Sequence, residues 1–157
     1  MERHETSLSI DEVNQRLPLV SAIVRDIVDL FGDVSQRQAR LGDLRESYPA
    51  GERDDDYREE VVQMEQELDR DRRQLDAFAQ ELEQVGGVLT NAMTGTVDFA
   101  SLQSGDRVSL CWKLGEPEVM FWHSGECGES RIPLDPQSAG LTIESSFACG
   151  DDSDEDA

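Results

Sequence analysis

Between Leu110 and His123 the chain places both of its tryptophans, one of its three cysteines and one of its two histidines. Thiolate and imidazole are zinc ligands, so Cys111 and His123 are candidate metal donors. Cys127 and the carboxylates of Glu116 or Glu118 could supply the rest of a tetrahedral set. Their spacing matches no paired Cys-x-x-Cys pattern. The same residues also read as an acid–base pair: imidazole titrates near neutrality, and Glu116 or Glu118 would orient His123. The chain has no Gly-rich phosphate loop, no Gly-x-Ser-x-Gly elbow and no recognisable nucleophile setting, which argues against an enzyme. Each feature also has a plain structural reading. Cys111 can be a small buried hydrophobe, and His123 can bond a backbone carbonyl at a strand end. Trp112, Phe121 and Trp122 are large enough to anchor a protein interface or simply to fill a core.

The segment reads as a hairpin. Arg107 to Leu114 is a strong strand, and Glu118 to His123 is its partner around Gly115-Glu116-Pro117. Side chains alternate faces along a strand, so Val108, Leu110, Trp112 and Leu114 share one face, and Ser109, Cys111 and Lys113 the other. The register decides which group His123 joins. If opposed residue numbers sum to an odd value, His123 lies with Leu110 and Trp112. If the sum is even, Cys111 and His123 share a face. A two-residue Glu-Pro turn would disfavour Pro117 unless its peptide were cis. A longer loop is therefore expected, and the parity stays open.

This stretch resembles a prokaryotic family of uncharacterised proteins, a domain of unknown function. That family has two long helices followed by a strand-rich end with a Leu-Cys-Trp-x-Leu-Gly-Glu-Pro-Glu signature and a nearby Trp-His. The match rests on Leu110, Cys111, Trp112, Leu114, Gly115, Glu116, Pro117, Glu118, Trp122 and His123. Upstream, Gly95-Thr-Val-Asp98-Phe99 also resembles family positions, as does Arg131 downstream. The resemblance spans about Ile10 to Leu134, and Cys127 falls where the family shows no cysteine. It implies a fold and a patch of interest (Cys111, Trp112, Gly115, Glu116, Glu118, Trp122, His123 and Arg131) but no reaction.

The elements that must hold this patch lie upstream. Ile10, Val13, Leu17, Val20, Val24, Ile27, Phe31 and Val34 alternate gaps of three and four, and Tyr57, Val61, Met64, Leu68, Leu75, Phe78, Leu82 and Val85 carry the same stripe. The spacing predicts two long amphipathic helices. Ser9 and Glu12 form a capping box. Pro18 either kinks the first helix or moves its start to about Leu17. Gly32 and Gly42 weaken it locally. Tyr48-Pro-Ala-Gly51 ends it near Ser47. A second helix starts near Asp54 to Asp56, where acids suit the positive end of the helix dipole, and stops at Gly86-Gly87. The short connection makes the two antiparallel neighbours. Gln38 and Asp71 interrupt the seams; one polar residue in a seam can select register or oligomer state, and the plainer reading is a solvated edge.

Beyond Val85 the composition turns towards strands. Val88 to Thr90 is a short strand and Met93 to Thr96 a turn, with Val97 to Phe99 leading into a helical turn at Ala100 to Leu102. Ser104-Gly105-Asp106 is another turn. Arg131 to Leu134 is a short edge strand, and Leu141 to Phe147 pairs weakly. The expected fold is α+β: a long antiparallel, coiled-coil-like hairpin packed with a small antiparallel sheet. Residues 9–135 form one domain (hairpin 9–86, β-rich part 87–135), after a flexible N-terminus, 1–8. The acidic tail, 136–157, is expected to be largely disordered.

Thirty-five acidic and 14 basic residues leave a formal net charge of −21. Such a surface repels nucleic-acid phosphates and anionic headgroups, which excludes nucleic-acid and membrane-surface roles. No apolar run reaches the length of a signal core or a membrane span. The odd cysteine count makes no disulfide framework and suits a reducing compartment. The expected location is the cytoplasm. The expected function is a non-enzymatic interaction or scaffold module, dimerising through its hairpin and open to a protein partner. The alternatives are a small metal-binding or redox protein using Cys111 and His123, with zinc as the candidate ion, and the acid–base enzyme using His123 with Glu116 or Glu118.

Overall fold

A computed structural model describes residues 7–103, 105–124 and 132–134. Helix α1, Ile10–Ser47, runs for 38 residues, and helix α2, Asp55–Gln84, for 30. At 1.5 Å per residue these are rods of about 57 and 45 Å. A single 3-10 turn, Ala50–Glu52, connects them. Five strands follow: β1 Gly87–Asn91, β2 Thr96–Gln103, β3 Asp106–Lys113, β4 Phe121–His123 and β5 Ile132–Pro133. They pair antiparallel in sequence order. The protein is therefore α+β, with a helical hairpin and a small meander sheet.

Local chemistry sets the helix ends. Ser9 Oγ accepts from Glu12 N at 3.1 Å, and Glu12 Oε1 accepts from Ser9 N at 2.8 Å. With that reciprocal cap α1 begins at Ile10 and takes Pro18 inside it. Pro18 is tolerated on a solvent-exposed face, between buried Leu17 and Val20. Asp54 caps α2 by accepting from Tyr57 N at 2.9 Å. At the other end Gly86 takes φ +98°, the left-handed conformation that closes a helix. Arg16 Nη1 donates to the Val85 carbonyl at 2.9 Å, satisfying one of the acceptors that every helix end leaves open.

The main core lies between the inner half of α1 and one face of the sheet. Val13, Leu17, Val20, Ile23, Val24 and Ile27 meet Leu82 of α2, Val97 and Phe99 of β2, Val108, Leu110 and Trp112 of β3, and Trp122 of β4. Fully burying such a side chain contributes roughly 1.5–3 kcal/mol. The stripe on the inner half of α1, from Val13 to Ile27, is thus covered by the chain's own sheet. Leu8 joins this core at 2% exposure, and its N–H donates to the Ala100 carbonyl at 2.9 Å, so the packed structure begins ahead of the capping box.

Two segments differ from their sequence expectations. Ala100 to Leu102 is not a helical turn but the continuation of β2, paired residue for residue with Arg107 to Ser109. The strand persists because Gly105, at φ +85°, folds the chain sharply back and gives Ala100 to Gln103 a ladder partner. The partner of β3 is shorter than Glu118 to His123, since only Phe121–His123 pairs. Upstream of it, Glu116 builds the turn: its N–H donates to the Lys113 carbonyl at 3.0 Å, and its Oε1 accepts from Lys113 N at 2.9 Å. There is no cis peptide among the described residues. Leu141 to Phe147, the tail and Cys127 lie outside those residues, as do Ser104 and Arg131.

Past the sheet the hairpin continues as a two-helix arm with its own small core. Val34, Leu41 and Leu68 are buried there, and Leu30, Val61, Met64 and Leu75 are half-buried around them. Asp71, one of the two seam interruptions, pairs across the hairpin with Arg37, and Gln38 is exposed. At the tip the Tyr48 and Tyr57 rings meet at a tilt of 45° with centroids 5.0 Å apart, and the Arg53 guanidinium lies 5.3 Å from the centre of the Tyr57 ring.

Candidate functional site

The strand register brings together residues that lie far apart in the chain. Leu110 faces Trp122, and Ser109 faces His123. The sums are even, so Cys111 and His123 share a face of the sheet, opposite the one that carries Leu110 and Trp112. Across β2 and β3 Asp98 faces Cys111. Val88, Asp98, Cys111 and Phe121 therefore form one cross-strand row on the outer face, with His123 in the next row beside Ser109.

From that row Asp98 reaches His123 diagonally over Cys111. Its Oδ2 lies 3.0 Å from His123 Nε2. One donor atom each from Asp98, Cys111 and His123 lie within 4.8 Å of one another. The group is sheltered: His123 is 3% exposed and Cys111 4%, and only the Asp98 side chain keeps 21%. Two buried polar atoms in it have no hydrogen-bond partner among the described residues, Asp98 Oδ1 and His123 Nδ1. Buried polar atoms are nearly always paired, so two such atoms in one cluster are a chemical signal. In a neutral imidazole whose Nε2–H donates to the carboxylate, Nδ1 carries a bare lone pair.

The other candidate residues have different surroundings. The carboxylate that the fold hydrogen-bonds to His123 is that of Asp98. Glu116 is engaged in the turn with Lys113, and Glu118 is exposed before β4 begins. Where the sequence pairs His123 with Glu116 or Glu118, the hydrogen bond observed is with Asp98 on β2. Gly115 takes φ +104° in the same turn. Trp112 and Trp122, at 1% and 5% exposure, face the helices and fill the main core. The Trp112 indole donates to the Glu116 carbonyl at 2.9 Å. Neither tryptophan is presented to a partner, and Phe121 is the aromatic of this hairpin on the outer face.

Asp98 is the residue that reading the chemistry of the sequence passed over. It lies 25 positions from His123, and only the resemblance drew notice to it. A local signal existed: an acid in mid-strand between two apolar residues, Val97 and Phe99, points away from the core on the face where Cys111 can lie.

A second feature lies on the arm. One shallow hollow on α2 is lined by Arg58, Glu59, Val62, Gln63 and Gln66, with Val62 half-exposed at 50%. Another lies between the helices, with Leu41, Arg45, Glu65 and Leu68 among its walls.

Among known proteins, the profile of a family described as an uncharacterized conserved protein, DUF2203, matches residues 7–134. No curated protein and no solved structure matches the chain. The match spans both helices and all five strands, and it contains Asp98, Cys111 and His123. No helix among the described residues is long and apolar enough to cross a membrane.

Proposed function

The chain belongs to the DUF2203 family of uncharacterised conserved proteins, and we propose that it is a non-enzymatic cytoplasmic interaction module that self-associates through the arm of its helical hairpin. The observation that carries this reading is the small separate core of the arm. A two-helix layer covers its apolar seam from one side only, so Leu30, Val61, Met64 and Leu75 stay half-buried. Packing two such hairpins into a four-helix bundle would cover the other side. The half-exposed Val62 and the hollow around it lie on the same stretch. Most soluble oligomers are symmetric homo-oligomers, which favours a second copy as the occupant. A protein surface is also the partner class that a net charge of −21 leaves available, since nucleic acid and anionic lipid are repelled.

The charge makes the proposal sharp. Two copies of so acidic a chain repel each other, and salt screens that repulsion. Dimerisation should therefore strengthen between low and high salt, the opposite of an ion-pair interface. Sedimentation velocity over a concentration series at both salt levels is the measurement. The expected result is a monomer–dimer equilibrium that shifts towards dimer in high salt and is weakened at least tenfold by Val62→Asp. A single monomeric species at every concentration and salt removes the reading.

A further inference from the structure

We propose that Asp98, Cys111 and His123 form a binding site for a thiophilic divalent cation of the zinc class. This is independent of self-association, which uses the other end of the molecule.

Three observations carry it. The first is the donor set. A thiolate, an imidazole and a carboxylate are the ligand types that zinc combines, whereas an oxygen-only site would suit magnesium or calcium. The second is proximity. Their donor atoms lie within 4.8 Å of one another, and tetrahedral zinc with bonds of 2.0–2.3 Å needs donors about 3.5 Å apart. Side-chain rotation closes that gap without moving the strands, because the three residues sit on adjacent strands with fixed register. The third is the pair of lone-pair atoms left over. Among the described residues His123, at 3% exposure, keeps Nδ1 unpartnered, and Asp98 Oδ1 is buried without a partner beside it. Both are acceptors lacking a donor, which a cation satisfies and a second carbonyl would not.

Binding takes the Cys111 proton to solvent and forms a metal–thiolate bond, with no change of oxidation state. That bond is the discriminating signature, because the many surface carboxylates can collect divalent ions loosely but contribute no sulfur.

The test is a titration of the demetallated full chain with cobalt(II), followed by zinc competition. The expected result is one equivalent of cobalt with an intense near-ultraviolet thiolate-to-cobalt band, abolished by one equivalent of zinc. Cys111→Ser, close in size to the native residue, should remove that band and weaken zinc at least tenfold while circular dichroism stays native. His123→Asn should weaken zinc by a similar factor. Asp98→Asn provides a second check on the carboxylate should His123→Asn fail to fold. Absence of a stoichiometric complex at micromolar metal overturns the proposal, as does a complex that Cys111→Ser leaves unchanged.

Discussion

Asn14 Oδ1 accepts a hydrogen bond from the Val119 N–H at 2.8 Å, joining the first turns of α1 to the loop that precedes β4. Val119 is 3% exposed, so no water can easily replace that acceptor. The bond is part-buried, so removing one partner leaves the other with up to the full desolvation penalty of a buried group, about 1–3 kcal/mol. Asn14→Ala should lose roughly that much in urea unfolding with an unchanged m-value. Asn14→Asp, which keeps an acceptor oxygen in place, should lose less.

Two glycines should respond to alanine in opposite directions. Gly95 takes φ +72°, and a Cβ there would lie 2.9 Å from both Leu114 Cβ and Val24 Cγ1. Gly95→Ala combines backbone strain with a clash against the core and should cost about 1–3 kcal/mol or more. Gly32 is inside α1, and a methyl group added to its Cα would meet nothing within 4 Å. Gly32→Ala should gain up to about 1 kcal/mol from helix propensity alone. Thermal unfolding of the two variants side by side measures the contrast.

The ion pair between Arg37 and Asp71 bridges the helices where the apolar seam is interrupted. The Asp71 side chain is 18% exposed and that of Arg37 38%, so solvent screens the pair only in part. A double-mutant cycle with Arg37→Ala and Asp71→Ala should give a coupling of about 0.2–1 kcal/mol. That coupling should shrink in high salt. A coupling indistinguishable from zero at low salt would make Asp71 a solvated edge position after all.

The cap of α1 should leave a trace in acid. The Ser9 backbone N–H, and then the Ser9 hydroxyl, hold the Glu12 carboxyl below its ordinary value of 4.5. A depressed carboxyl contributes stability that is fully present above the unfolded-state value and is lost as pH falls through the lower folded-state value. Glu12→Gln can still close the capping box but cannot ionise. The stability difference between the native chain and Glu12→Gln should therefore be constant near neutral pH and close below about 4.5. A difference that stays constant through the acid range would show that the charge plays no part.

The helices are legible in the sequence because their signals are local. The spacing of Val13, Leu17, Val20, Val24 and Ile27 marks the buried face, and Ser9, Asp54 and Gly86 mark the ends. The extension of β2 is not legible in this way. Ser101 points into the core at 1% exposure, so a polar residue occupies an inward position and hides the alternation. The register of β3 against β4 depends on how Glu116 folds the turn, a question of backbone geometry that residue types leave open. Without that register, neither the common face of Cys111 and His123 nor the approach of Asp98 can be read, since these contacts join segments well separated in the chain.

Because the five strands lie in the sheet in the order in which they occur in the chain, synthesis itself supplies each one with a template. A strand emerging from the ribosome pairs with its immediate predecessor, and none has to wait for a later segment to occupy its central edge. The exposed growing edge moves outwards one strand at a time. The greasy side of the inner half of the first helix, by contrast, finds its lid only after the second and third strands exist. Until those strands are made, that apolar face has no cover of its own.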